Sequence, residues 1–322
     1  MSSTILQVKD LKTSYFTRQG VVKAVRGVSF HVHSGEVLGL AGESGCGKTT
    51  AALSIMRLLP PSARIVAGQV LFNDKDMAAM SERELRTIRW RDISIIFQGS
   101  MNALNPVKNI GEQIAEGILL HEDVTQEVAL DRTRNLLQMV GINLSKLESY
   151  PHELSGGMRQ RVMIAMSLAC NPRLVIADEP VTALDVMVQA QILKLINDLQ
   201  RNLNLSMILI THDLSVMADV CNRLAIMYAG EIVEYGSVDA IFGEPIHPYT
   251  QLLIKAFPSI EGAASELFSI PGSPPVLINP PSGCGFYSRC PYARDECSKV
   301  DPPLVEVGSG HFVTCRTFGE QG

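Results

Sequence analysis

The sequence lacks any apolar run approaching about 18 residues, so no segment reads as a bilayer-spanning helix. It has one tryptophan, and its 28 Lys and Arg are outnumbered by 33 Asp and Glu, for a net charge of −5. That leaves no broad basic, aromatic footprint for nucleic acid. The start, MSSTILQVKD, has no basic region leading into an apolar core, so no secretory leader is expected. Seven cysteines in 322 residues are too few for a disulfide scaffold, which predicts a chain kept in the reducing cytosol. What is present is a globular composition, 46% hydrophobic and 19% charged. The length suits one large domain with an appendage, or two domains.

The first two-thirds alternate between strand and helix signals. Gly35 to Ala41 is a short apolar run entering a glycine-rich turn, with a helix-compatible stretch from Thr50 to Leu59 beyond it. Leu174 to Ala177 and Met207 to Ile210 are further four-residue apolar runs ending at acidic or polar residues. Such runs suit parallel strands buried on both faces, with functional groups at their carboxyl ends. From about 110 to 142 the spacing is helical, as in Leu136, Leu137 and Val140 before Gly141, which predicts a helical insertion into the α/β core. After about residue 240, Pro245, Pro248, Pro258, Pro271, Pro274, Pro275, Pro280 and Pro281 predict loops and short strands rather than regular helix.

Gly42-Glu43-Ser44-Gly45-Cys46-Gly47-Lys48-Thr49 has the pattern G-x-x-x-x-G-K-[ST]. Its glycines let backbone N–H groups curl around phosphates, and the following helix, through Thr50, adds its positive end. Lys48 would reach the β- and γ-phosphates, and the Thr49 hydroxyl would ligate Mg²⁺. Asp178, at a strand end, is placed to hold Mg²⁺ through its water shell, and Glu179 beside it to orient or deprotonate an attacking water. The plain alternative is that both acids cap a helix around Pro180. Ser155-Gly156-Gly157 opens an apolar helical stretch, Val162 to Leu168, and so makes a second anion site, or simply an ordinary N-cap. Two phosphate cradles about 110 residues apart make sense if they face different nucleotides or join across a dimer.

On these residues the chain resembles the ATP-binding subunits of ABC transporters over essentially its full length. The loop Gly42–Thr49, the Ser155-Gly156-Gly157 run and Asp178-Glu179 are similar to that family's Walker A, signature and Walker B motifs. Gln98, after Ile95-Ile96-Phe97, resembles the glutamine that senses Mg²⁺ and water. His212, in Thr211-His212-Asp213, resembles the switch histidine, and Ala183-Leu184-Asp185 the D-loop. Tyr15 stands where an aromatic stacks on adenine, with Phe16 an equal candidate by position.

The resemblance implies a P-loop (RecA-like) α/β nucleotide-binding domain over residues 1–240. It would carry an antiparallel β subdomain and a helical subdomain at about 100–165. It also implies a head-to-tail dimer in which each ATP lies between one Lys48 loop and the other subunit's Ser155 helix. Dimer closure on ATP and release on hydrolysis would then drive a transporter, with the helical insertion docking a membrane subunit.

His247-Pro248-Tyr249-Thr250 and the Pro/Cys-rich extension at 241–322 are similar to the oligopeptide, dipeptide and nickel importer ATPases, as is Asn102-Ala103-Leu104-Asn105-Pro106. That resemblance implies a second, different ATPase subunit, two transmembrane permeases and an extracytoplasmic binding protein. It places the chain peripherally on the cytoplasmic face of the inner membrane, with peptides as default cargo and nickel or oligosaccharides as alternatives. Cys284, Cys290, Cys297 and Cys315 follow C-x₅-C-x₆-C-x₁₇-C, without the short pair usual in zinc sites. The resemblance points to a 4Fe–4S cluster stapling the tail; zinc, or thiols that are free or in disulfides, are the alternatives. Cys46, Cys170 and Cys221 read as small packing residues. A repair or chromosome ATPase would carry long heptad coiled coils between its halves, and a translation-associated one a second cassette; neither is present. A non-hydrolysing regulator fits poorly with the retention of Glu179 and His212.

Overall fold

The computed structural model describes residues 3–97, 99, 103–182, 184–256 and 269–319. In chain order its elements begin with β1 (Thr4–Thr17), β2 (Gly20–His33), β3 (Val37–Ala41), α1 (Lys48–Ile55), β4 (Ala63–Phe72), β5 (Lys75–Asp76) and α2 (Glu82–Ile88). There follow β6 (Ile93–Ile96), α3 (Ile110–His121), α4 (Gln126–Met139), α5 (Gly156–Ser167), β7 (Leu174–Asp178), α6 (Val186–Leu203) and β8 (Ser206–Ile210). The remainder comprises α7 (Leu214–Val220), β9 (Arg223–Tyr228), β10 (Glu231–Ser237), α8 (Val238–Gly243), α9 (Pro248–Lys255), β11 (Val305–Gly308), β12 (His311–Val313) and α10 (Arg316–Gly319). The chain divides into two compact units that alternate along the sequence.

The phosphate-loop unit takes Thr4–Val32, Val37–Ala78 and the chain from Thr211 onward. Its first sheet has the order β2-β1-β4-β5, with β1 antiparallel to β4 from Leu6 opposite Phe72 to Tyr15 opposite Ala63. In the second, β3 runs parallel to β9, and β10, β12 and β11 follow by antiparallel pairings. Every residue of β3 is buried, which is why it reads as an unbroken apolar run rather than an alternating one. β9 and β10 join through Ala229-Gly230, both at positive φ, as a two-residue hairpin requires. The tip of that hairpin supports the glycine-rich turn: Gly230 N–H donates to the Cys46 carbonyl at 3.0 Å.

The helical unit takes His33–Glu36 and Ala79–Ile210. Its strands β6, β7 and β8 are parallel, with Ile93 beside Leu174 and Leu174 beside Ser206. Helices α3, α4 and α5 pack on one another. Asn109 and Glu112 form a reciprocal capping box that starts α3, and Thr125 caps α4. Ile110, Ile114 and Ile118 of α3 and Leu136 and Leu137 of α4 are buried, each worth about 1.5–3 kcal/mol.

Two elements differ from their sequence expectations. Helix α1 starts two residues earlier than anticipated and stops at Ile55, because Arg57 turns left-handed at φ +52° and Leu58 N–H donates back to the Leu53 carbonyl at 2.9 Å. The proline-rich carboxyl-terminal residues do contain helix: Pro248 sits at the first position of α9, where its missing N–H costs nothing. These residues also pack an apolar cluster against Tyr228 of β9. Tyr228, Tyr249 and Phe286, all buried, place their ring centroids 4.6 to 5.4 Å apart.

Beside that cluster, the fully buried Glu234 accepts from the N–H groups of Ile246 and His247 at 2.8 and 2.9 Å and pairs with His311 Nε2 at 2.8 Å. His247 Nδ1 in turn accepts from Tyr249 N–H at 3.0 Å, capping α9. Burial lowers the His247 pKa to about 4, against the opposing pull of Glu234. Between that value and the ordinary pKa near 6.5, the unfolded chain binds a proton that the folded chain does not. Stability therefore rises with pH across this window and is lost as pH falls from about 6.5 towards 4. Denaturant titrations from pH 7 to 4.5 should show this loss, and His247→Asn, whose side-chain oxygen can keep the cap, should shallow the slope by about one proton. Identical slopes in the two proteins would remove His247 as the source.

Candidate nucleotide-binding site

The phosphate loop of the first unit is shaped by backbone crowding. At Gly42, with φ +144°, a Cβ would lie 2.2 Å from the Met227 carbonyl oxygen; at Gly47, with φ +107°, it would lie 2.4 Å from that of Ala24. Gly45, at φ +80°, faces open space. Gly47 caps α1 without any side-chain hydrogen bond, so the first N–H groups of the helix are left for an anion. Lys48 is folded back over the loop, its Nζ donating to the carbonyls of Gly42 at 2.7 Å and Glu43 at 3.0 Å, with Cys46 Sγ at 3.6 Å. Burial raises the Cys46 thiol pKa, so it stays protonated despite the neighbouring ammonium. Ser44, Gly45 and Thr49 are exposed, while Thr50 is buried.

Tyr15 and Phe16 can be separated. The Tyr15 hydroxyl lies 3.2 Å from Thr50 Oγ1, tying that ring to the first turn of α1. Phe16 instead points outward and carries the Arg64 guanidinium 4.2 Å from its ring centroid, which occupies one stacking face. His212 is exposed, between the buried Thr211 and Asp213, which caps α7 by accepting from Ser215 and Val216 N–H.

In the helical unit, Asp178 ends the fully buried β7 and Glu179 follows at once. Glu179 has φ +46°, a left-handed conformation that costs a side-chain-bearing residue about 1–2 kcal/mol. Its N–H donates to the Ile210 carbonyl at 2.8 Å, and the Thr182 hydroxyl donates to its carbonyl at 3.1 Å and contacts its Oε2 at 3.0 Å. Ser155 caps α5, accepting from Met158 N–H at 3.3 Å, and the first turn of α5 contains no acid. A Cβ at Gly157 would lie 2.6 Å from Val188 of α6, whose own cap is Asp185 accepting from Val188 N–H. The Ser155 turn and the helix after Leu184-Asp185 are thus neighbours. Gln98, Asn102 and Ala183 lie outside the described residues.

An uncapped helix start, glycines in conformations other residues resist, an exposed threonine hydroxyl and a lysine at the loop mouth fit a nucleoside triphosphate and its Mg²⁺. The sequence reading missed two groups here: Tyr249, whose hydroxyl accepts from Glu43 N–H at 2.8 Å, and Arg289, whose guanidinium pairs with the Glu43 carboxylate. No local pattern links positions 246 residues apart; only the adjacency of Arg289 to Cys290 marked that stretch.

The iron–sulfur or zinc expectation for Cys284, Cys290, Cys297 and Cys315 is corrected. All four line one cavity with His247 and Phe286, but its volume is about 20 Å³, room for about one water and far short of a 4Fe–4S cube. Among the described residues no three His, Cys, Asp or Glu side chains are placed to hold a metal ion. Burial pushes the Cys284 thiol up to about 11 and raises that of Cys290. The Phe286 ring packs instead against Tyr228 and Tyr249, at centroid distances of 5.1 and 5.4 Å.

Residues 25–182 match the ABC transporter family model, and residues 233–297 match the model of the oligopeptide/dipeptide transporter C-terminal region. The oligopeptide transport ATP-binding protein OppD of Bacillus subtilis is 48% identical, over 96% of this chain and 87% of its own length. The dipeptide transport ATP-binding protein DppD of the same organism is 47% identical over 97% and 94%, and OppD of Salmonella typhimurium 44% over 98% and 94%. None of these names refers to a metal. Among solved structures, the dimeric ATP-binding cassette MJ0796 in a post-hydrolysis state bound to ADP and Pi has a TM-score of 0.65 at 26% identity, covering 72% of this chain and 98% of that one. The chain belongs to the ABC transporter family of ATP-hydrolysing, ATP-binding subunits, in its oligopeptide/dipeptide branch.

Proposed function

We propose that this chain powers the uptake of di- or oligopeptides through membrane permeases. The observation that carries the reading is identity of 44–48% along nearly the whole chain to proteins named for oligopeptide or dipeptide transport, the carboxyl-terminal region included. Residues 1–240 are the ATPase domain and 241–322 the extension. Among the described residues no helix is long and apolar enough to cross a membrane, so passage of cargo falls to partners. Those partners are two permeases, an extracytoplasmic binding protein and a second, different ATPase subunit, with this chain on the cytoplasmic face of the inner membrane.

The chemistry is positioning and charge neutralisation. Backbone N–H groups of Ser44, Gly45, Cys46, Gly47, Lys48, Thr49 and Thr50 cradle the phosphates, with Gly42 allowing the turn. Tyr15 carries the adenine. Lys48 meets the β- and γ-phosphates. Thr49, Gln98 and Asp178 would hold Mg²⁺, which when bound would neutralise phosphate charge. Glu179 takes the proton of the attacking water, Gln98 orients that water, and His212 contacts the γ-phosphate. Ser155, Gly156 and Gly157 present the N-terminus of α5 to the ATP of the partner subunit.

Capture of the tagged chain from gently solubilised membranes, with its companions identified by mass spectrometry, tests the assembly. Two permeases, a second ATPase and a binding protein are expected, and deletion of the chain should abolish uptake of a labelled tripeptide. Uptake of nickel or oligosaccharide lost in place of peptide would reassign the cargo; recovery only as a homodimer free of membrane partners would remove the transport reading.

A further inference from the structure

The carboxyl-terminal residues reach the phosphate loop directly, within a single compact unit. Arg289 NH1 and NH2 donate to the two carboxylate oxygens of Glu43 at 2.6 and 2.9 Å, a two-pronged pair in which the Arg289 side chain is only 3% exposed. The same side chain donates to the Tyr228 hydroxyl at 3.1 Å, the Pro271 carbonyl at 2.7 Å and the Ile270 carbonyl at 3.3 Å. All five guanidinium donors are therefore used, and the group is fixed rather than swinging at the surface. Glu43 is held at three points: its carboxylate by Arg289, its N–H by the hydroxyl of the fully buried Tyr249 at 2.8 Å, and its carbonyl by Lys48 Nζ at 3.0 Å. Tyr249 is itself set by the start of α9, through His247 Nδ1 and Glu234.

A carboxylate in the second position of a phosphate-binding loop opposes the charge of the ligand the loop must receive. Left unpaired, Glu43 would repel incoming phosphates and compete for Lys48. The Arg289 fork cancels that charge and turns it away, while Tyr249 holds the Gly42–Glu43 peptide plane, whose Gly42 carbonyl accepts from Lys48 Nζ at 2.7 Å. We propose that Arg289 and Tyr249 are positioning residues for ATP binding, acting through Glu43 to neutralise and shape the phosphate loop, so that the carboxyl-terminal segment is a working part of the nucleotide site. This rests on the assignment of Lys48 to the phosphates.

The test is equilibrium binding of fluorescent ATP to the full-length chain, with ATPase assays at saturating ATP. Arg289→Ala should weaken ATP binding about tenfold, with maximal turnover changed less than about threefold. Adding Glu43→Gln to that variant removes the unmasked charge and should restore affinity to within about threefold of the unsubstituted chain. A purely structural role for Arg289 gives no such rescue. Arg289→Lys, which keeps the charge but loses the fork, should fall between the two and serves if the alanine variant does not fold. Lys48→Ala separates the layers. If it leaves ATP binding intact, the phosphate-loop assignment itself falls. If it abolishes binding while Arg289→Ala binds ATP as the unsubstituted chain does, or if Glu43→Gln gives no rescue, the Arg289 proposal alone is overturned.

Discussion

Replacing Glu179 with glutamine is expected to leave ATP binding intact and to cut turnover at least about 100-fold, the usual scale for losing a general base. Glutamine has nearly the same shape as glutamate, and its amide oxygen can still accept from the Thr182 hydroxyl, which lies 3.0 Å from Oε2. The N–H to Ile210 is main-chain and does not depend on the side chain. The φ of +46° at this residue is no more costly to glutamine than to glutamate. What changes is the negative charge and the proton affinity that goes with it, so fold and nucleotide binding survive while water activation does not. Phosphate release measured beside ATP titration decides the matter; turnover within about threefold of the unsubstituted chain would take Glu179 out of its assigned role. Thr182→Val should give a smaller loss, because it frees the carboxylate to rotate without removing it.

The strained backbone at Glu179 shows where a sequence stops being informative. The apolar runs at Leu174–Ala177 and Met207–Ile210 announced β7 and β8 because burial on both faces leaves a continuous hydrophobic signature. The Gly42–Thr49 loop was legible for a related reason: backbone crowding at Met227 and Ala24 leaves glycine as the only residue that fits, so the constraint is written into the residue types. Ser155 likewise declared itself as a helix start by chemistry that acts within three residues.

Contacts between distant positions leave no such trace. Nothing periodic connects Glu43 with Arg289, or Glu234 with His311, since each pair meets only after the strands between them have found their places. The cysteine spacing misled for the complementary reason. Four thiols lining one cavity are a pattern in sequence, but cavity size and the packing of Phe286 decide what fits, and neither is visible before the fold. A proline-rich composition also understated order, because one proline at the first turn of α9 starts a helix rather than ending one.

The three loop glycines should separate in a graded way when each is changed to alanine, and Gly47→Ala should be the most damaging to nucleotide binding. A Cβ at Gly47 meets the Ala24 carbonyl at 2.4 Å, a backbone atom held in β2 that cannot swing aside, and the residue must also keep φ +107°. Because Gly47 leads directly into Lys48, relieving the clash moves the start of α1, the Lys48 amine and the exposed Thr49 hydroxyl together. ATP affinity is expected to fall more than about 100-fold, the scale at which small displacements in a preorganised site act. Gly42→Ala meets the Met227 carbonyl at 2.2 Å, also at positive φ, but it lies at the far end of the loop; its cost should appear first in stability, as a lowered Tm before ATP is added. Gly45→Ala has no atom within 4 Å to strike, so only the φ of +80° opposes it, at about 1–2 kcal/mol. That variant should fold and bind ATP within about tenfold of the unsubstituted chain. Fluorescent ATP titration and thermal unfolding of the three variants side by side give the order directly. Equal losses at Gly45 and Gly47 would mean that the close approach to Ala24 does not set the geometry of the site, and that left-handed backbone alone is what the loop demands.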